Sequence, residues 1–180
     1  PSDRAWLDLR VDGPCRDVCF TSIIRDDRGR KMSKSLNNSP DPIDVVRTYG
    51  ADALRFTIIY IAPTGQDIRY SNEKCEVGRN FANKIWNAVR FRLAQGDLSP
   101  DWANLDGLAA ADLRPDDRWI LARFAQTVRE VTATLDEFHF SEVARLLYEF
   151  MWNEFCSWYL ESAKAVFQAD SAGRTATFRE

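Results

Sequence analysis

The apolar residues change period along the chain, and the changes mark out its elements. "VCFTSIIR", Val18 to Arg25, is β-branched and apolar and reads as a buried strand. "DDRG", Asp26 to Gly29, follows as a turn with glycine at its end. Beyond a polar stretch, Asp41 is placed as an N-cap, with Pro42 at the first helical position and Asp44 in the first turn. This predicts a helix over "PIDVVRTY" that stops at Gly50. "ADALRFTIIYIA" starts a second, more apolar helix, ended by Pro63, and "QDIRYS", Gln66 to Ser71, reads as a short strand.

From there the period is helical. Ser71 is expected to cap a helix reaching about Leu93, with Val77, Phe81, Ile85, Ala88 and Leu93 near one face. Gly96 to Asp117 is a Gly/Pro/Asp-rich connector. A long helix follows with Leu121, Phe124, Val128, Val131, Leu135 and Phe138 spaced as a core seam. Ser141 is expected to cap the next helix, Glu142 to about Gln168, whose apolar stripe runs from Val143 to Tyr159 and should face that seam. The short joining turn favours antiparallel neighbours, and the polar tail past Ala169 is expected to fray. The fold expected is mainly α: a small α/β element to about residue 71, then an antiparallel helical bundle.

Composition narrows the partners. The net charge of −3 over 180 residues excludes a generally basic nucleic-acid coat. The halves differ: Pro1–Gln95 holds 16 Lys/Arg against 12 Asp/Glu, or +4, and Gly96–Glu180 holds 8 against 15, or −7. A polyanion would meet the first half. Cys15 and Cys19 are the only close cysteine pair, and the single histidine, His139, is remote, so no metal site is expected and the thiols read as reduced. No run has the apolar length of a membrane span, and no signal-peptide pattern is visible.

The candidate chemistry begins in "RKMSKSLNNSPDP", Arg30 to Pro42. Lys31 and Lys34, separated by small or flexible residues, can close on one polyphosphate, and Ser33 and Ser35 add hydroxyl donors. A solvated surface loop explains the same composition. The helix after Ser71 carries Arg79, Lys84, Arg90 and Arg92, with Asn80, Asn83 and Asn87 between them and Phe81 and Trp86 interleaved. Such a face can hold phosphates and meet unstacked bases. Equally, the aromatics can be core and the arginines can pair with Glu73 and Glu76. The aromatics from Phe150 to Tyr159 read as core, since too many faces are apolar for a binding surface.

"KMSKS", Lys31 to Ser35, is unaltered, and it resembles the signature of the class I aminoacyl-tRNA synthetases. "DPIDVVRTYGADALRF" resembles the segment after that signature in the valyl, isoleucyl and leucyl members, and "GRNFANKIWNA" is most similar to the valyl branch. "DRWIL" and "LYEFMWNEFCSWYLESAK" resemble helices of that family's anticodon-binding bundle. The resemblance covers about Val18 to Lys164. It implies a division at residue 71: residues 1–71 as the end of the catalytic fold with its lysine loop and stem-contact element, and 72–180 as the anticodon-binding bundle.

It further implies a cytoplasmic, ATP-dependent ligase joining valine to tRNA(Val). Lys31, Met32, Ser33, Lys34 and Ser35 would hold ATP, with Lys31 and Lys34 catalytic and Mg2+ sharing the phosphate charge. Arg79, Asn83, Lys84, Asn87 and Arg90 would meet tRNA, and the remaining partner would be the rest of the synthetase chain. The family's His-Ile-Gly-His signature, its editing insertion and its amino-acid pocket are not in these 180 residues. The chain is therefore expected to be a piece of a longer enzyme, inactive and without bound ATP by itself. An isoleucyl piece, or a stand-alone tRNA- or protein-binding helical module, stays open. Two positions depart from the family pattern: Asn37 stands where glycine is usual, and Ser157 where an aspartate is usual.

Overall fold

The computed structural model describes residues 17–19, 23–63, 66–96 and 113–167. Most of the connector expected over Gly96–Asp117, the tail and Cys15 lie outside these residues, as does part of the first strand. The elements are β1 (Ile24–Arg25), α1 (Pro42–Tyr49), α2 (Ala51–Tyr60), β2 (Ile68–Arg69), α3 (Cys75–Leu93), α4 (Pro115–Asp136) and α5 (Phe140–Glu149). α5 continues through a wide π-helical stretch, Phe150–Tyr159, and then as α-helix over 160–167. The architecture is mainly α with one small sheet.

β1 and β2 pair in parallel, Ile24 with Ile68 and Arg25 with Arg69. Parallel strands need a long crossover, and α1 and α2 supply it. Asp41 caps α1 as expected: its carboxylate accepts the Ile43 N–H at 2.8 Å. Gly50, at φ +96°, then turns the chain directly into α2. Val45, Tyr70 and Cys75 form the buried centre here, with Ile24, Met32, Tyr49, Leu54 and Ile61 packed around it.

α2 and α3 cross closely. A Cβ on Gly78 would lie 2.4 Å from the Ala53 carbonyl oxygen and 2.7 Å from Thr57 Oγ1, so only glycine fits this contact. Thr57 and Cys75 are fully buried beside it. A run of aromatic contacts then ties α2 and α3 to α5: Phe56 to Phe81 at 4.7 Å, Phe81 to Tyr148 at 5.1 Å, and Tyr148 stacked on Trp152 at 5.4 Å. Spacings of this size favour offset or tilted ring packing.

α4 and α5 are antiparallel neighbours. Arg123 and Glu154 make two bonds of 2.8 and 2.6 Å between them. Tyr159 donates to Asp117 at 3.0 Å and Ser162 to Asp116 at 2.5 Å. The Arg114 guanidinium, hydrogen-bonded to Asp117, holds the Asp117 carboxyl below its usual range.

The expected seam meets the last helix only in part: Val131 is half-buried and the Phe124 ring lies 5.8 Å from that of Phe150, but the seam is not the most buried face of α4. Leu121, Phe124, Val128 and Leu135 are between 42% and 53% exposed, whereas Ile120 and Thr127 are about 5% exposed. Burial lies on the stripe through Ile120, Arg123, Thr127 and Thr134. Two polar members of that stripe satisfy themselves within the helix: Thr127 donates to the Arg123 carbonyl at 2.9 Å and Thr134 to the Glu130 carbonyl at 2.7 Å. Their methyl groups are left free to pack, which an apolar periodicity count does not register.

Phe138, expected at the end of the seam, instead sits past the helix end at φ +60°. The Phe138 N–H bonds the Leu135 carbonyl and the His139 N–H bonds the Thr134 carbonyl, closing a Schellman turn. Two caps also differ from expectation. The last helix begins at Phe140 after His139, with Ser141 buried in its first turn. A 3₁₀ turn, Asn72–Lys74, stands between Ser71 and α3.

Candidate nucleotide loop and nucleic-acid face

The lysine loop is entered through a tight reversal. Gly29, at φ +78°, closes the Asp26–Arg30 turn, and Lys31 comes back opposite Arg25 in a single antiparallel bridge. Met32 turns inward onto the buried centre, while Lys31, Lys34 and Ser35 are exposed. Ser33 Oγ lies 3.2 Å from Ser35 Oγ and accepts the Leu36 N–H at 3.3 Å. The signature's methionine thus anchors the loop, its serines brace it, and its two ammonium groups face solvent. Asn37 sits at φ +46°, the left-handed turn for which glycine would be the ordinary choice and asparagine is among the better substitutes.

Asp26 and Asn38 complete the loop, and neither was among the expected site residues. Asp26 is 5% exposed. Its carboxylate accepts the Asn38 amide at 3.0 Å, the Arg30 backbone N–H at 2.7 Å and Arg30 Nε at 2.8 Å. Together these bonds, that from Asn38 foremost, hold its pKa down at about 2. Asn38 also donates to the Lys31 carbonyl at 3.2 Å and accepts the Ser33 N–H at 2.9 Å. In the sequence Asp26 showed only as an aspartate in a turn and Asn38 only as the asparagine that follows glycine in the resembling family's pattern; their spacing of twelve has no secondary-structure meaning that would pair them.

The second set of candidates is divided by α3. Asn83, Asn87 and Arg90 are exposed at helical spacing, and Trp86, between them, is 65% exposed. Arg79 instead lies over the Tyr49 ring at 5.6 Å and within 3.5 Å of Glu76. Lys84 is half-buried over the Trp152 ring at 5.1 Å. Phe81 is core. Of the aromatics from Phe150 to Tyr159, Phe150 is buried, but Trp158 is 63% exposed.

Two family descriptions match the chain: "tRNA synthetases class I (I, L, M and V)" over residues 5–71 and "Anticodon-binding domain of tRNA ligase" over 117–179. The first match contains the lysine loop. The chain belongs to the class I aminoacyl-tRNA synthetases. Valine–tRNA ligase of Bacillus subtilis is 46% identical over 173 residues, 95% of this chain and 19% of the relative. That of Clostridium acetobutylicum is 47% identical over 159 residues, 87% and 18% respectively. The chain thus spans about a fifth of the length of the curated relatives it matches.

Among solved structures, methionyl-tRNA synthetase of Mycobacterium tuberculosis, in complex with methionyl-adenylate, aligns at 28% identity and a TM-score of 0.53, covering 73% of this chain and 25% of that one. LeuRS of Agrobacterium radiobacter K84, in a ternary complex with tRNA and LeuAMS, shares the fold at a TM-score of 0.67 and 22% identity, over 83% of this chain and 19% of that one. Among the described residues, no helix of this synthetase chain is long and apolar enough to cross a membrane. Nor do three His, Cys, Asp or Glu side chains among them stand together as a metal cage.

Proposed function

We propose that this chain is the part of a cytoplasmic valine–tRNA ligase that carries the ATP-phosphate loop in residues 1–71 and an anticodon-binding helical unit in 72–180. The observation that carries the reading is the 42–47% identity to valine–tRNA ligases, which runs over 87–96% of the chain and so through both the loop and the helices.

The reaction is attack of the valine carboxylate on the α-phosphate of ATP, with pyrophosphate leaving, and then transfer of the valyl group to tRNA(Val). Lys31 and Lys34 stand at the tip of a braced loop and meet the phosphates. Lys34 follows the charge that grows on the departing pyrophosphate, so its contact strengthens toward the transition state. Met32 anchors the loop in the core, and Ser33 and Ser35 shape it. The described residues do not form a protein cage for Mg2+, and no step is assigned to it.

On α3, Asn83, Asn87 and Arg90 form the exposed face for tRNA, with Trp86 beside them as a stacking surface. Arg79 and Lys84, held against Tyr49 and Trp152, support this face from its edges. Valine-dependent ATP–pyrophosphate exchange by the intact enzyme tests the reading, together with binding of tRNA(Val) against tRNA(Ile). Activation of isoleucine instead, or equal affinity for the two tRNAs, contradicts it. The 180-residue chain alone should show no exchange.

A further inference from the structure

Asn38 does more than end a turn. Its carboxamide is a three-way joint, donating to Asp26 at 3.0 Å and to the Lys31 carbonyl at 3.2 Å and accepting from the Ser33 N–H at 2.9 Å. The two backbone groups it grips flank Met32, so the segment between the signature lysines is fixed at its base. Asp26, the third contact, is itself buried at the turn that leads into the loop and is tied to Arg30 through both backbone and guanidinium. The cleft beside the joint is also lined by Asp27, Tyr70 and Glu73. Among the described residues, Arg30 is the charged group bonded to Asp26.

We propose that Asn38 is a positioning residue of the lysine loop: through its joint with Asp26, Lys31 and Ser33 it sets where Lys31 and Lys34 meet the nucleotide phosphates. The inference rests on the reading of the loop as an ATP-phosphate loop. It adds that reach is set from behind, by an amide–carboxylate pair that never touches the nucleotide. A loop carrying two mobile ammonium groups has many arrangements, and catalysis needs few of them. A neutral amide suits the joint because it donates to the carboxylate and the Lys31 carbonyl while accepting from Ser33. An aspartate in its place would meet Asp26 as a second negative charge, and only its protonated form could donate across the pair.

The test uses the intact enzyme with Asn38→Ala and Asn38→Asp, each with and without Lys34→Ala. Pre-steady-state adenylate formation is measured from pH 6 to 8, and amide hydrogen exchange is followed over residues 31–38. Asn38→Ala should slow adenylate formation by roughly ten- to a hundredfold, the scale of a catalytic group displaced by about 1 Å. Its defect should be flat with pH. The Asn38→Asp defect should be the larger of the two throughout this range, where both carboxyls are ionised and repel. Both variants should speed loop exchange while the rest of the chain keeps its protection. Lys34→Ala should cost less in either background than in the native one. A Lys34→Ala penalty unchanged by Asn38→Ala, or loop exchange at the native rate in both variants, overturns the proposal. If the native enzyme forms no valyl-adenylate, the valine reading fails, and the exchange measurement still decides whether Asn38 holds the loop.

Discussion

Lys34 and Met32 illustrate how two residues of one short motif take opposite environments. Met32 packs on the buried centre, so the backbone at Lys31 and Lys34 carries its ammonium groups outward. Truncating Lys34 should therefore leave the loop's fold intact and remove one charge-assisted contact. In the intact enzyme, Lys34→Ala should lower the adenylate-formation rate roughly a hundred- to a thousandfold while ATP dissociation changes little. Stopped-flow measurement of both quantities checks this, and a change confined to ATP dissociation would make the loop a ground-state binder. Ser157, the other departure from the family pattern, donates to the Trp152 carbonyl at 2.7 Å inside the wide π-helical stretch. It closes a backbone acceptor there without supplying charge.

Between elements, the crossing of α2 and α3 depends on a missing side chain. Alanine is the better helix former by about 1 kcal/mol, so exposed Gly→Ala changes usually stabilise. At Gly78 the added methyl would press on the Ala53 carbonyl, which belongs to helix backbone and cannot swing away. Overpacking of this kind costs about 1–3 kcal/mol or more, so Gly78→Ala should be net destabilising. Urea unfolding of the variant would show it as a lower midpoint, and a midpoint equal to or above the native one would mean the helices can separate freely. The contact between α4 and α5 has another character. Arg123 grips Glu154 with two bonds, and the faces beside it are half-exposed. Arg123→Ala should leave Glu154 unpaired and lower the thermal midpoint, whereas replacing Leu121 on the exposed stripe should change it little. Differential scanning of the two variants distinguishes the stripes.

Across the molecule, charge decides two responses. The carboxyls of Asp26, at about 2, and Asp117, also lowered, are depressed in the folded chain. A depressed carboxyl contributes stability that is present above its unfolded pKa of about 4 and is lost as pH falls through its folded value. Acid titration should therefore leave the fold unchanged down to about pH 4 and weaken it progressively toward pH 2, as followed by circular dichroism. Loss of structure already near pH 6 would contradict that assignment. On the proposed tRNA reading, the salt response should follow the basic helix rather than the net charge of −3. Arg90→Ala should weaken tRNA binding most at low salt and reduce the slope of log K against log salt by about 1, the share of one phosphate contact. A variant that binds tRNA as the native chain does at low salt would make this face merely solvated.

Local chemistry alone determined α1, from the Asp41 cap and Pro42 to Gly50, because each of these acts on its immediate neighbours. It also marked the lysine loop and the order of the long helices. The tertiary structure decided which stripe of α4 is buried. Thr127 and Thr134 hide their hydroxyls in their own helix, and Arg123 finds its partner thirty-one residues away, so the polar stripe packs and the apolar one stays half-exposed. It decided that Trp86 is exposed while Phe81, on the same helix, is core, because only one face of α3 meets α2 and α5. And it brought Asn38 to Asp26, a joint made by a chain reversal and a buried carboxylate, neither of which a sequence read in order can place next to the other.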